Sequence, residues 1–305
     1  METHESNRSK VVVALAIYNG IIWLPEQFSS LLTQKNVNVT FLISVDPSSD
    51  KSEIFCSQKS EKFKDVVVLP QIGKFGSAAQ NFFRLLRDAD LSNCDYVSLS
   101  DQDDISLPNK LSRAVSELQV NNADAYSSNV TAFWPDGKQK FINKAQPQQI
   151  YDYMFEPPGP GCTFVLTQKL ALAIQAFLIK HQALCIDVAL HDWFIYAFTR
   201  SRGLKWTIDH ESHMLYRQHS SNVVGANVGF KAKSQRFKKA RDGWLFNQAI
   251  LIADILGYAN QNPIEKIKRL NFNDRLWLIL NARQLRRSLL DQFAFAFLVL
   301  IYLKK

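Results

Sequence analysis

The chain has 305 residues, 47% of them apolar and 21% charged, proportions that allow a full core and exclude a disordered or low-complexity protein. Its four cysteines, Cys56, Cys94, Cys162 and Cys185, are widely spaced with no Cys-x-x-Cys pair, which excludes a disulfide framework or a thiolate zinc site. The net charge of +8 is local: residues 226–305 carry 15 Lys and Arg against 5 Asp and Glu, and the slightly acidic remainder speaks against a nucleic-acid binder.

Met1 to Lys10 is polar and lacks the apolar run of a secretory signal. Val11 to Ile17 is continuously apolar, the mark of a strand covered on both faces, and stops at the turn Tyr18-Asn19-Gly20. Leu24, Phe28, Leu31 and Leu32 then fall at helical spacing. A second strand, Val39 to Val45, ends in Asp46-Pro47-Ser48-Ser49-Asp50. A short strand, Val66 to Leu69, precedes the loop Gly73-Lys74-Phe75-Gly76-Ser77 and a helix from Ala78 to about Ala89. The fourth strand begins at Tyr96 and runs into Asp101-Gln102-Asp103-Asp104; Pro108 then opens a helix reaching Leu118.

This alternation predicts a doubly wound parallel sheet with its ligand crevice along the strands' C-terminal ends. Asn19, Asp46, Lys74 and Asp101 to Asp104 would line that edge. Three carboxylates within four residues repel one another unless a positive charge sits among them, and a divalent cation holding a diphosphate is one solution. A solvated acidic turn that caps the next helix is the other. No Gly-x-Gly-x-x-Gly follows the first strand and no P-loop occurs, which argues against a dehydrogenase and a P-loop NTPase.

Beyond Leu118 the pattern changes. Ala123 to Phe133 reads as a strand, and the Pro- and Gly-rich Glu156 to Gly161 either allows close backbone approach to a ligand or is an ordinary connecting loop; it runs into a strand over Cys162 to Leu166. Helices are expected over Lys169 to Lys180 and Asp192 to Arg200, with His191-Asp192-Trp193 at the start of the second, where Asp is also a routine cap. Tyr216-Arg217-Gln218-His219 follows a strand; its Arg and His either face solvent or meet a diphosphate and its metal.

Five blocks, in order, resemble the family 2 glycosyltransferases, inverting enzymes of the GT-A fold. They are Tyr18-Asn19-Gly20 with Glu26-Gln27; Asp46 to Asp50; Lys74 to Phe82; Ser100 to Asp104 with Pro108 and Lys110-Leu111; and His191-Asp192-Trp193 with Tyr216 to His219. The resemblance, closest to bacterial rhamnosyltransferases of surface polysaccharide synthesis, implies an α/β fold: a Rossmann-like, mostly parallel sheet flanked by helices, with a C-terminal helical extension. It implies Asp192 as general base and a donor site of Ala16, Tyr18, Asn19, Asp46, Lys74, Asn81, Asp101, Gln102 and Arg217. Gly161, Cys162, His191 and Trp193 would lie on the acceptor side. Asp101, Asp103 and His219 would hold Mg²⁺ or Mn²⁺, with Asp103 the direct ligand. Pro47 departs from the family's Asp-Asp-Gly-Ser pattern and stiffens the turn, while Lys74 stands where Asn is common. The implied donor is dTDP-rhamnose and the implied acceptor a polyprenyl-linked glycan at the inner face of the cell membrane. A non-catalytic sugar-nucleotide-binding or scaffold protein on the same fold is the alternative. A nucleotidyltransferase lacks its expected Gly-rich triphosphate loop.

Residues 10–225 form the expected catalytic domain and residues 226–305 a basic, helical region. That region holds a cationic cluster from Lys231 to Arg241, helices over Trp244 to Tyr258 and Asn273 to Leu290, and an apolar run from Phe293 to Leu303. Eleven residues fall short of the roughly 20 that span a bilayer. The run is expected on an anionic membrane surface, with the chain's own domain or a second subunit as alternatives.

Overall fold

The computed structural model describes residues 8–219 and 242–302. The cationic cluster, Ser220 to Gly225 and Lys304-Lys305 lie outside the described residues. The first half runs β1 (Ser9–Ile17), α1 (Leu24–Leu32), β2 (Val37–Val45), α2 (Ser52–Lys62), β3 (Val66–Val68), α3 (Ala78–Asp88), β4 (Tyr96–Asp101), β5 (Ile105–Ser106) and α4 (Lys110–Val120). It continues through β6 (Ala125–Phe133), β7 (Gln139–Ile142), β8 (Val165–Thr167), α5 (Gln168–His181), α6 (His191–Ser201) and β9 (Trp206–Arg217). Among the described residues five helices follow: α7 (Trp244–Leu256), α8 (Asn262–Arg269), α9 (Phe272–Leu280), α10 (Ala282–Leu285) and α11 (Leu289–Ile301).

The strands form one sheet in the order β3-β2-β1-β4-β8-β6-β9-β5, with β7 paired to β6. β3, β2, β1 and β4 are parallel, as the alternation predicts. Past β4 the sheet is mixed: β8 is antiparallel to both β4 and β6, β5 is antiparallel to β9, and β6 and β9 are parallel. The continuous apolar run of β1 is explained by helices on both faces. Val12, Ala14 and Ala16 enter one core with Phe82, Trp193 and Phe198, while Val11, Val13, Leu15 and Ile17 enter another with Leu24, Phe28 and Leu111.

The C-terminal helices pack into the first of these cores through Phe246, Ile252, Leu278, Phe295 and Val299. The single helix expected over Asn273 to Leu290 is broken into α9 and α10, and the backbone is extended at Arg286. The break lets Arg287 turn inward. Its guanidinium donates to Asp152 Oδ2 at 3.1 Å and to Pro157 O at 2.6 Å, and its backbone N–H donates to Glu156 Oε1 at 2.6 Å. The terminal apolar run belongs to α11, which begins four residues earlier, where the Ser288 hydroxyl accepts from the Asp291 N–H.

Candidate active site

The crevice lies where the parallel strands end. Ala16 pairs with both Ser44 and Asp101, so β1, β2 and β4 finish level with one another. The loops beyond them are tied together by side chains. Asn19, at φ 47°, accepts from the Ser49 N–H at 2.7 Å, and its own N–H donates to Ser48 Oγ. Gln102 brackets Tyr18, accepting from its N–H at 2.7 Å and donating to its carbonyl at 2.8 Å. A Cβ on Gly20 would stand 2.4 Å from that amide oxygen, so a larger residue there would push the Gln102 amide off Tyr18. Gln27 donates to the Asp101 carbonyl at 2.6 Å from the helix behind.

Several residues expected on the donor therefore do structural work. Both carboxylate oxygens of buried Asp46 accept backbone N–H groups, from Phe75 at 2.7 Å and Gly76 at 2.9 Å, and so shape the loop that carries exposed Lys74. Asn81 is buried and donates to Ile17 O and Ser44 O, and Ala16 is a buried strand residue; neither side chain reaches the crevice. The Gln102 amide is spent on Tyr18, whose ring is half exposed.

The acidic turn is the centre of the site. Asp101 is partly exposed at the end of β4. Burial first, then the charges of Asp103 and Asp192, push its carboxyl up to about 7. Asp104 is fully buried; its Oδ1 accepts the Arg217 N–H at 3.0 Å, and its Oδ2 makes no hydrogen bond among the described residues. Burial and the neighbouring carboxylates hold Asp104 well above the usual range. Asp103 Oδ2 lies 2.7 Å from His219 Nε2, and the His219 ring stacks on Trp23 at 4.0 Å. Arg217 donates to the Asp103 carbonyl at 2.7 Å and pairs with Glu26. Sequence reasoning thus placed Asp103, His219 and Arg217 in one neighbourhood, where they are, and left Trp23 out.

Lys110 lies in the fourth block with no role implied for it. Lys110 is buried beneath the acids, and its ammonium donates to Cys162 O at 2.8 Å. A lysine in the first turn of a helix opposes the helix dipole, so it is itself a sign of a carboxylate or carbonyl partner. Donor atoms of Asp101, Asp104 and Cys162 lie within 4.8 Å of one another. This set fits a hard divalent cation: clustered carboxylates of raised pKa, one with an unbonded buried oxygen, and a histidine beside the third acid. With no cation present, burial pushes the Cys162 thiol well above its ordinary range.

Asp192 opens α6 on the far side of the acids. Its carboxylate accepts its neighbour Trp193's N–H at 2.7 Å, and burial raises it to about 6, against that hydrogen bond and the charge of Lys144. Lys144, which no motif pointed to, joins the site from the chain following β7. The acceptor-side residues divide. His191 is buried against Phe82 at 4.1 Å and against Gly161, where a Cβ would come within 2.3 Å of Nε2. Burial holds its imidazole down at about 3, so it is neutral. Trp193 belongs to the core, its indole N–H donating to Tyr153 O at 2.9 Å, and Cys162 is fully buried; neither side chain faces an acceptor.

The family model described as Glycosyl transferase family 2 matches residues 12–185. The dTDP-rhamnosyl transferase RfbG of Shigella flexneri is 40% identical over 279 residues, which are 91% of this chain and 96% of the relative. Among solved structures, the S. aureus TarS 1–349 complex with UDP superposes with a TM-score of 0.54 at 13% identity, covering 89% of this chain and 75% of that TarS 1–349 chain. The Pyrobaculum calidifontis mannosyltransferase PcManGT, solved with GDP-Man and Mn²⁺, gives a TM-score of 0.51 at 13% identity, over 97% of this chain and 87% of its own. These two show a shared fold.

Proposed function

The chain belongs to glycosyl transferase family 2, and on that premise we propose that it is an inverting rhamnosyltransferase using dTDP-rhamnose as donor. The observation that carries the reading is the meeting of Asp101, Asp103 and Asp104 with Asp192 at one sheet edge, in a chain 40% identical to a dTDP-rhamnosyl transferase. The acceptor is a lipid-linked glycan of surface polysaccharide synthesis, glycosylated at the cytoplasmic face of the membrane.

Asp192 acts as general base. Its carboxylate takes the proton of an acceptor hydroxyl as that oxygen attacks the anomeric carbon, and the bond to the diphosphate oxygen breaks with its electron pair. The hydrogen bond from the Trp193 N–H fixes the carboxylate at the mouth of α6. Asp101, Asp103 and Asp104, with His219 beside them, would hold Mg²⁺ or Mn²⁺, which supplies Lewis-acid neutralisation of the diphosphate. No second carboxylate is then required to protonate the leaving group, in contrast to glycoside hydrolysis. Lys74, exposed on the loop that Asp46 closes, would offer its ammonium to the donor's phosphates.

The test is transfer itself. With a lipid-linked acceptor, release of dTDP from dTDP-rhamnose is expected, together with a rhamnosylated lipid. Equal or faster use of UDP- or GDP-sugars, with dTDP-rhamnose ignored, would overturn the donor assignment.

A further inference from the structure

Trp23 occupies the capping position before α1, where Ser, Thr, Asp and Asn are favoured for a side-chain oxygen that an indole lacks, and no side chain caps that helix. Its backbone closes the preceding turn, the N–H donating to Gly20 O at 2.9 Å. The side chain is partly buried, yet among the described residues it joins none of the apolar cores. Its ring lies instead on that of His219, with centroids 4.0 Å apart and planes 16° from parallel. His219 stands just beyond the end of β9, where a histidine would otherwise swing about two soft side-chain torsions. The stack restricts that freedom, because turning the imidazole out of plane breaks its contact with the indole face. With the plane set, the ring edge that bears Nε2 stays on the acidic turn, 2.7 Å from Asp103 Oδ2. The start of α1 grips the same segment a second time: Glu26, in its first turn, pairs with Arg217. Arg217 donates to Asp103 O at 2.7 Å through Nε and to Asp104 Oδ1 at 3.0 Å through its N–H.

We propose that Trp23 is a positioning residue for the divalent cation: it holds the His219 imidazole edge-on to the acidic turn, so that Nε2 meets the ion together with the Asp103 carboxylate. The proposal rests on the cation reading of that turn and adds to it the side chain that fixes its nitrogen ligand. Asp103 Oδ2 and His219 Nε2 already lie 2.7 Å apart. Neighbouring ligands at about 2.1 Å from an octahedral ion stand about 3 Å from one another, so both atoms join one shell after a small shift. Contacts that orient a ligating histidine typically change metal affinity by about 10–100-fold. A tryptophan suits this task because its broad face covers an imidazole and only two torsions are lost in fixing it. An apolar residue without a flat face would fill the same space and leave the imidazole free to turn.

The experiment is an electron-paramagnetic-resonance titration of Mn²⁺ into the full chain, which reads the free ion and needs no turnover. Trp23→Leu should keep its metal-free melting temperature and bind Mn²⁺ about 10–100-fold more weakly than wild type. Trp23→Phe, which restores a ring face, should recover most of that loss. The effect must run through the imidazole, so Trp23→Leu should cost little further affinity in a His219→Ala background. A spectroscopic signature accompanies it: paramagnetic Mn²⁺, unlike Mg²⁺, should quench part of the emission of the six tryptophans, and Trp23→Phe should lose that part while still binding the ion. Unchanged affinity in Trp23→Leu, or a loss of the same size when His219 is already Ala, would overturn the proposal and leave the cation reading standing. A wild type that binds no Mn²⁺ would overturn both.

Discussion

At the scale of single residues, Asp192, the proposed general base, carries little of the stability. Its carboxylate bonds the adjoining Trp193 backbone and no distant element. Asp192→Asn should lower kcat by about 10²–10⁴, the range typical of a removed general base, at an unchanged melting temperature. The base must be ionised to work, and burial sets it at about 6, so kcat/KM should fall as the pH drops through that value. Asp101 makes a second, opposite use of burial. Its folded-state carboxyl, at about 7, lies above its ordinary 3.8, so the metal-free fold holds an extra proton between those values. That contribution to stability is present at acid pH and is lost as pH rises through 7. Saturating Mn²⁺ should therefore raise the melting temperature more at pH 8 than at pH 5; an equal rise at both would place the ion elsewhere. Gly161→Ala would drive a methyl into the His191 ring and should cost about 1–3 kcal/mol, read by denaturant unfolding.

At the scale of elements, the C-terminal helices hold the loop that faces the site. Arg287, on the link before α11, is buried and pairs with Asp152 at 3.1 Å; Asp152 in turn accepts from Tyr196 of α6 at 2.9 Å. The same arginine holds Pro157 and Glu156 at the start of the Pro/Gly loop leading to Gly161. Arg287→Met leaves Asp152 with Arg200 at 3.3 Å but strips the Pro157 carbonyl of its donor, and should cost about 1–3 kcal/mol in chemical unfolding. Nothing in the local pattern around Arg287 announces this, because its partner lies 135 residues away. The strands, by contrast, were legible. Their apolar runs and the polar turns closing them follow from burial on both faces of β1, β2 and β4, a demand that each short segment expresses by itself. The strand expected after the Pro/Gly loop is present as the short β8, Val165–Thr167, but its antiparallel pairing with β4 and β6 was not legible, since three residues carry no sign of direction.

At the scale of the whole molecule, the sheet brings chemistry from distant parts of the chain to one edge. The acids at 101–104, the base at 192 and the Arg217-His219 pair are each a few residues at the end of an element, and each kept its motif. Their neighbourhood was therefore readable from order alone. Roles were harder. Asp46 and Gln102 have the polar heads of ligand-binding residues, yet both spend them on backbone, and only the three-dimensional contact distinguishes the two uses. Lys110 carried no role in the sequence, because its burial under Asp101 and Asp104 exists only in three dimensions. The central claim is that the acidic edge binds a nucleotide sugar through a divalent cation. Its most direct test is the melting temperature of wild type and Asp103→Ala with dTDP-rhamnose, with and without Mn²⁺. At about 100 times the dissociation constant, bound donor should stabilise wild type by roughly 2.7 kcal/mol, only with Mn²⁺ present, and Asp103→Ala should show no such gain. A donor shift that is independent of the metal, or that survives in Asp103→Ala, would contradict the account.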